Sequence, residues 1–351
     1  MTDEITLNCP MPFNDYERVV LAHGGGGRIM HRLINDCFVA AFDNPFLAAQ
    51  GDGATLNLSG PVAMSTDAFT VSPLFFPGGD IGSLAVHGTA NDLAMCAARA
   101  RYLSVSFILE EGLLLADLHR LVDSMADAAK AAGILIVAGD TKVVEKGRGD
   151  GVYITTSGIG TLLDEAVDAP PSPARMRPGN SVIVSGPVGD HGAAIMALRE
   201  GLLTEETQLA SDAGPVIDPV SALYRQGIDV SCLRDPTRGG LATVLCELAC
   251  ASHLGIYLKE SLIPVREPVR DTCEFLGLDP MYVACEGRFV AVVAASDQAR
   301  ALQVLHQHGC PLAAAIGEVQ QADAGTVVLE NAIGSLRVVD RLSGEQLPRI
   351  C

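Results

Sequence analysis

The strand-and-helix pattern of this chain stops once and then restarts, and that break constrains the fold more than any other feature. Residues 168–180, DAPPSPARMRPGN, are dense in Pro and Arg. Proline fixes φ and lacks a backbone donor, so such a stretch reads as a domain boundary. Before it, residues 58–110 read as strand and loop material, with a β-type segment VAMSTDAFTV. A helix follows in LADLHRLVDSMADAAKAAG, where Leu118, Leu121, Val122, Met125 and Ala129 recur at helical spacing and Gly133 ends it. ILIVAGD then reads as a buried strand and VYITTSGIGTLL as another. After the break come SVIVSG (strand), HGAAIMALREG (helix) and RGGLATVLCELACAS, a helix with Leu241, Val244, Leu245, Leu248 and Ala249 on one face. The strands RFVAVVAA and TVVLENA frame a last helix, DQARALQVLHQHG. Strands and helices alternate without a strict βαβ rhythm, so the expected class is α+β. Residues from about 331 onward, ending EQLPRIC, show no long periodic element and read as a tail.

Length agrees with two domains, since 351 residues are about twice the usual ~150 per domain. Lys plus Arg is 24 against Asp plus Glu 42, a formal charge of −18. Neutralising phosphates takes clustered cations, so nucleic acid and anionic membrane surfaces are poor partners for this chain. No apolar run reaches the ~18 residues needed to cross a bilayer. Residues 1–20 carry Asp3, Glu4, Asp15 and Glu17 and no apolar h-region, so no secretory signal is expected. A cytoplasmic protein with reduced thiols follows from this. The ten cysteines form no C-x-x-C pair. Cys246 and Cys250 share a helical face as small core residues, and His306, His308 and Cys310 fall at a helix end rather than a metal site.

Several segments carry candidate chemistry. HGGGGR, residues 23–28, is a run of four glycines (Gly24, Gly25, Gly26, Gly27) leading into a helix. Such a run lets backbone N–H groups approach an anion, although it is neither a Walker A loop nor G-x-G-x-x-G, and a plain hinge has the same composition. Asp52, Asp67, Asp92, Asp140 and Asp235 share one setting, a lone Asp at the junction of an apolar stretch with Gly, Thr or Asn. Taken singly, each is a turn or N-cap residue. Taken together, they supply the hard oxygen ligands that a magnesium–triphosphate site draws from separate loops. Lys142, one of only four lysines, lies two residues past Asp140 and reads either as a solvated strand-end cation or as a site residue. Glu286 precedes a buried strand, where a raised pKa suits proton transfer, and a partnership with Arg288 or a surface turn is the alternative. Cys351 stands at the end of a stretch whose twenty residues span up to about 60–70 Å when extended. A thiol with that reach could enter an active site and leave it again.

HGGGG, FFPGGDIGSLAVHGTANDLAM, FILEEG, AGDTKVVEKG, SGPVGDHG, RDPTRGGL, CEGR, IGEV and the terminal PRIC together resemble the hydrogenase maturation protein family HypE. The match runs from about residue 21 to 351 in the family's order, and PRIC and GDTKVV are its most specific parts. Cys285 stands where a polar residue such as Asn is expected.

The resemblance implies the fold of aminoimidazole ribonucleotide synthetase and selenophosphate synthetase. An extension (1–20) would precede an α/β N-terminal domain (21–167) that binds ATP and pairs with its copy in a homodimer. An α+β C-terminal domain (168–330) and a tail (331–351) would follow. It implies a reaction too. A carbamoyltransferase partner of the HypF type loads a carbamoyl group onto Cys351, and ATP with Mg2+ dehydrates the thiocarboxamide to a thiocyanate. The cyanide then passes to iron on a HypC–HypD-type scaffold for a [NiFe]-hydrogenase. By the same analogy Asp52, Asp67, Asp92 and Asp235 hold the metal, while Gly24–Gly27, Asn91, Gly139 and Asp140 bind nucleotide. Cys351, Lys142 and Glu286 are the catalytic set, the last two as the proton-handling pair. A selenophosphate-synthetase-like enzyme would place a reactive Cys and a Lys near the glycine run. Here His23 precedes the glycines and no lysine appears before Lys130. A non-catalytic scaffold with a docking tail is the remaining alternative, and ATP hydrolysis separates it from the enzyme.

Overall fold

The computed structural model describes residues 16–49, 51–203, 208–341, 344, 347 and 349–351. Residues 1–15 of the expected extension lie outside the described residues. Residues 16–20 do not stand apart. Val19 is buried, and its backbone exchanges hydrogen bonds with Gly112 and Leu113, both at 2.8 Å. A 3-10 turn (Leu21–Gly24) and the glycine run lead into α1 (Arg28–Leu33). A π-turn (Ile34–Val39) joins α1 to α2 (Ala40–Phe42), and α3 (Pro45–Ala48) follows, N-capped by the Asn44 side chain.

The strand β1 (Val62–Phe69) passes through the short pair β2 (Phe75–Phe76) and β3 (Gly79–Asp80) into α4 (Ile81–Met95). Asp80 caps α4, accepting from Gly82 N at 2.8 Å and Ser83 N at 2.9 Å. Residues 58–110, expected as strand and loop material, therefore hold a fifteen-residue helix. Its turns are small and apolar on every side, and Leu84, Ala85, Val86, Gly88, Ala90, Leu93 and Ala94 are all buried. No polar face exists to mark the helical period. Gly88 is needed here, because a Cβ on it would meet the Phe69 ring at 2.8 Å.

The remaining strands of the first domain are β4 (Ala98–Glu110), β5 (Leu135–Val144) and β6 (Val152–Leu162), in the order β1-β6-β4-β5. The helix α5 (Leu115–Ala132) makes the crossover between the parallel pair β4 and β5, and Gly133 at φ 68° ends it. Helices α4 and α5 cover one face of this sheet. The other face is open and partly apolar, with Met64 69% and Val62 51% exposed and Ile108 in the row beside Lys142.

The Pro/Arg-rich stretch holds only a 3-10 turn, Pro173–Arg175, and Arg175 ties it down through Ala169 O, Val230 O and Asp229. The second domain then runs β7 (Ser181–Val184), α6 (Asp190–Arg199), α7 (Ile217–Arg225), β8 (Val230–Arg234), α8 (Gly240–Ser252) and β9 (Gly255–Lys259). It continues with α9 (Glu267–Leu276), β10 (Val290–Val293), α10 (Gln298–Gln307), β11 (Ala314–Gln320), β12 (Val327–Glu330) and β13 (Leu336–Val339). Its seven-stranded mixed sheet has the order β13-β12-β9-β11-β7-β10-β8, with α8 packed on one face and α7 and α10 on the other. This is the expected α+β architecture.

The expected tail from 331 begins instead as part of this sheet, because β13 pairs antiparallel with β12 from Val339–Val327 to Leu336–Glu330. Leu336 and Val338 are exposed and only Val339 is buried, so the strand has too little buried pattern to be read. The cysteines also divide more finely than expected: Cys246 is buried, whereas Cys250 and Cys96 are exposed. The domain boundary is not a gap in the packing. Ala94, Met95 and Ala97 join the cluster of Val220 and Phe289, and Ile195 and Ala284 join the core of the first domain.

Candidate active site

Four carboxylates and the terminal thiol meet where the two domains touch. Asp67 of β1, Asp92 of α4, Asp235 just after β8, Glu286 just before β10 and Cys351 line a cavity of about 40 Å3, together with Thr237 and Arg238. Alternation along β1 places Asp67 and Ser65 on the α4 side of the sheet. Ser65 Oγ donates to Asp92 Oδ2 at 2.5 Å, and Thr89 Oγ1 donates to Asp67 Oδ2 at 3.1 Å.

The electrostatics of this cavity are strained. Burial, and then the Asp92 charge, pushes Asp67 up to about 6. The same two causes push Asp235 up to about 7. Glu286 is raised well above the ordinary carboxylate range, first by burial and then by Asp235, Asp212, Asp67 and Asp92. Its Oε1 is buried and has no hydrogen-bond partner among the described residues. Its backbone is fixed, since Glu286 N and Gly287 N donate to the Asp212 carboxylate at 3.1 and 3.2 Å. Hard oxygen donors that repel one another are what a dication relieves, so the donor chemistry fits magnesium. Among the described residues, no three His, Cys, Asp or Glu side chains stand close enough to hold an ion by themselves.

Cys351 is seated in this cavity. Thr70 donates to a main-chain carboxyl oxygen of Cys351 from N at 3.0 Å and from Oγ1 at 3.1 Å. The Ile350 side chain is buried at 3% exposure, and His191 Nε2 lies 2.8 Å from the Ile350 carbonyl. A carbonyl only accepts, so that nitrogen carries the hydrogen, and Nδ1 accepts from Ser211 Oγ at 2.7 Å. Burial holds His191 below the ordinary imidazole range, in keeping with a neutral ring. Arg349 O accepts from Ser72 N at 3.3 Å and from Arg199, while the Arg349 guanidinium pairs with Asp150. Burial, and then the Glu286 charge, pushes the Cys351 thiol up to about 12. The seated thiol is therefore protonated.

The other expected site residues lie elsewhere. Lys142 sits on β5 with Nζ 2.7 Å from both oxygens of Asp140, and the pair is largely exposed. It faces the open side of the first sheet and does not line the cavity, so Lys142 and Glu286 are not brought together within the chain. Asn91 is buried and spent on backbone. Its Nδ2 donates to Gly214 O at 2.9 Å and Glu286 O at 3.0 Å, and its Oδ1 accepts from Val216 N at 3.0 Å. It bolts α4 to the second domain behind Glu286. Gly24 packs against Val143, while Gly26 and Gly27 have open space where a side chain would go. Gly139 and Asp140 line the mouth of an apolar pocket formed with Met30, Ile34, Phe38 and Phe107. Asp52 is exposed and outside the cavity. His306 bonds Ala313 O at the end of α10, as a helix-end residue does. Thr70, His191, Arg199, Asp212 and Arg238 were not anticipated. The one available signal was a polar His–Gly pair opening the otherwise apolar segment HGAAIMAL.

Two family models match the chain: AIR synthase related protein, N-terminal domain, over residues 50–162, and its C-terminal domain over 177–330. Carbamoyl dehydratase HypE of Azotobacter vinelandii is 51% identical over 339 residues, which covers 95% of this chain and 97% of that protein. The chain belongs to the HypE family. A crystal structure of hydrogenase maturation protein HypE in complex with ATP matches with a TM-score of 0.91 at 49% identity, covering 95% of this chain and 99% of that one. A HypE–HypF complex matches with a TM-score of 0.76 at 45% identity, covering 88% and 99%. The family and the AIR-synthetase-like α+β fold expected from the motifs are thus borne out.

Proposed function

We propose that this member of the HypE family uses ATP to dehydrate a carbamoyl group carried on Cys351, converting a thiocarboxamide to a thiocyanate. Membership in a family of carbamoyl dehydratases, one of them solved with ATP, supports an ATP-dependent enzyme of hydrogenase maturation. The observation that carries the finer reading is the position of Cys351, seated against Glu286 beside three carboxylates rather than frayed.

The chemistry follows from the leaving group. Amide oxygen leaves poorly, so the γ-phosphoryl group is transferred to it, and one N–H proton is lost as an S-bound phosphoryl imidate forms. The C–O bond then breaks, phosphate departs with the oxygen, and loss of the second N–H proton leaves S–C≡N. ADP, phosphate and protons balance the step. Glu286 is the group placed to handle those protons: it lines the cavity, one of its oxygens has no partner among the described residues, and a dication on the neighbouring carboxylates would bring its raised carboxyl down toward the ionised form a base needs. Asp67, Asp92 and Asp235 would hold magnesium together with the phosphates it arrives on, and the metal would neutralise charge on the transferring group. Gly26 and Gly27, with open space around them, suit a segment that closes over phosphates.

The seated thiol is protonated and half-buried in the cleft, and carbamoylation takes place when the tail swings out to a partner. A carbamoyltransferase of the HypF type is that partner, in line with the HypE–HypF complex. A HypC–HypD-type iron scaffold would receive the cyanide. A second copy of the chain is the natural cover for the open sheet face around Met64, Val62 and Ile108. Among the described residues no helix is long and apolar enough to cross a membrane, and a cytoplasmic setting belongs to the same reading.

Mass spectrometry tests it. The chain given the carbamoyltransferase, carbamoyl phosphate and ATP gains a carbamoyl group and then a cyano group on Cys351. Cys351→Ala gains neither. A variant that still accepts the modification would place the chemistry on another residue.

A further inference from the structure

The last three residues are held mainly through their main chain. Thr70 N and Ser72 N donate to Cys351 O and Arg349 O, two residues apart on each segment and in opposite directions, as in an antiparallel pair. These residues continue β1, an edge strand of the first sheet. Three side chains complete the set: Thr70 Oγ1 on Cys351 O, His191 Nε2 on Ile350 O and Arg199 on Arg349 O. His191 is fully buried and braced by Ser211, and Arg199 Nε is braced by Ser72 O at 2.6 Å. Two side chains of the tail are also read. Ile350 fills an apolar socket in the cluster containing Ile195 and Ala284, and Arg349 meets Asp150. None of these contacts depends on the covalent link to residue 341.

We propose that this cleft is a receptor for a chain end of sequence Arg-Ile-Cys, able to bind a separate peptide and to dehydrate a carbamoylated cysteine supplied in trans. Strand-edge recognition works this way: main-chain hydrogen bonds give affinity and side-chain sockets give specificity. Donors converging on a terminal carboxylate add charge-assisted bonds. The dehydration half rests on the function proposed above, whereas the binding half stands independently of it. The protein's own tail competes at an effective concentration in the millimolar range set by its short tether, so it masks the receptor in the intact chain.

The test uses a fluorescent peptide of the last eight residues with Ser in place of the terminal Cys. In the full-length chain carrying Ile350→Asp, the tail is expelled and the peptide binds saturably, about tenfold or more tighter than to the wild-type chain. An Ile→Asp peptide, a C-terminally amidated peptide, or His191→Ala added to the protein each weakens binding about tenfold, as losing one buried contact or charge-assisted bond does. In the wild-type chain, excess peptide displaces the tail and speeds alkylation of Cys351, read by mass spectrometry apart from the exposed Cys96 and Cys250. That arm needs no variant to fold. Absence of both saturable binding and accelerated Cys351 alkylation overturns the receptor. Finally, an S-carbamoylated peptide is offered with ATP to the Ile350→Asp chain. Peptide that binds but stays intact, while the wild-type chain dehydrates its own cysteine, overturns activity in trans. If neither is dehydrated although the peptide binds, the proposed function fails and the receptor stands.

Discussion

At one edge of the first sheet, β5 presents Asp140 and Lys142 to solvent as a closed pair, with the carboxyl held below its ordinary range by the lysine. At the other edge, β1 delivers Asp67 into a junction where Asp92 presses on it, where Asp67 and Asp92 in turn press on Asp235 and Glu286, and where every resolved shift is upward. The edges are three inter-strand steps apart, about 14 Å. An exposed pair is nearly at rest with respect to stability, worth about 0–1 kcal/mol. The buried edge stores repulsion that only protons, a cation or a neighbouring donor can relieve. That contrast separates residues that shape the cavity from a residue that could reach it only from elsewhere.

The sharpest way to break the comparison is Glu286→Gln. It keeps the shape of the side chain and removes its proton affinity, so dehydration of carbamoylated Cys351 slows by about 10²–10⁴, the usual worth of a general base. Carbamoylation itself persists, because it happens on the expelled tail. Single-turnover mass spectrometry reads both steps, and a normal dehydration rate would remove Glu286 from the mechanism.

The second prediction concerns stability against pH in protein free of metal and nucleotide. A carboxyl raised in the folded state favours folding while protonated. Its contribution is complete below the ordinary value of 3.8 and is lost as pH rises through about 6 for Asp67 and about 7 for Asp235. Melting temperature should therefore fall from pH 4 to pH 8 on account of these groups, and Mg–ATP should flatten the slope. Asp235→Asn should raise stability at pH 8 by on the order of 2 kcal/mol while impairing ATP-dependent turnover. A variant that melts lower at pH 8 than the parent would show that the carboxylates are not in repulsion.

What could be read from residues alone follows the same contrast between exposed and buried. The helices α5 and α8 carry one apolar stripe each, and their caps and glycines are local, so their spacing announces them. The helix α4 is buried all round and carries no such stripe, although it positions Asp92 and Asn91. Asp67, Asp92, Asp235, Glu286 and Cys351 could be named because lone carboxylates and a terminal thiol in apolar settings invite chemistry. Their meeting at one cavity depends on the docking of two domains, which no spacing encodes. Lys142 shows the converse, since its rarity and its place beside Asp140 were visible but its sheet edge was not. The clamp on the tail was hidden for a further reason. It reads backbone carbonyls, and Thr70, His191 and Arg199 follow no sequence period.

The smallest expected effect sharpens the comparison most finely. Lys142→Ala removes an exposed pair, so the folding stability should stay within about 1 kcal/mol of the parent. Lys142 faces the same open side of the sheet as Ser106 and Ile108, the side that a second copy would cover. If Lys142 serves the dehydration from that face, it does so across the pairing of two copies. Lys142→Ala and Glu286→Gln chains, each inactive alone, should then recover activity when mixed and allowed to exchange. Half of the dimers are mixed, and each has one site with both residues intact, so about a quarter of parental activity returns. Full activity of Lys142→Ala alone would leave the exposed edge with no part in the reaction. No recovery on mixing, with dimer exchange verified by mass, would confine Lys142 to its own chain and require the sheet edge to move.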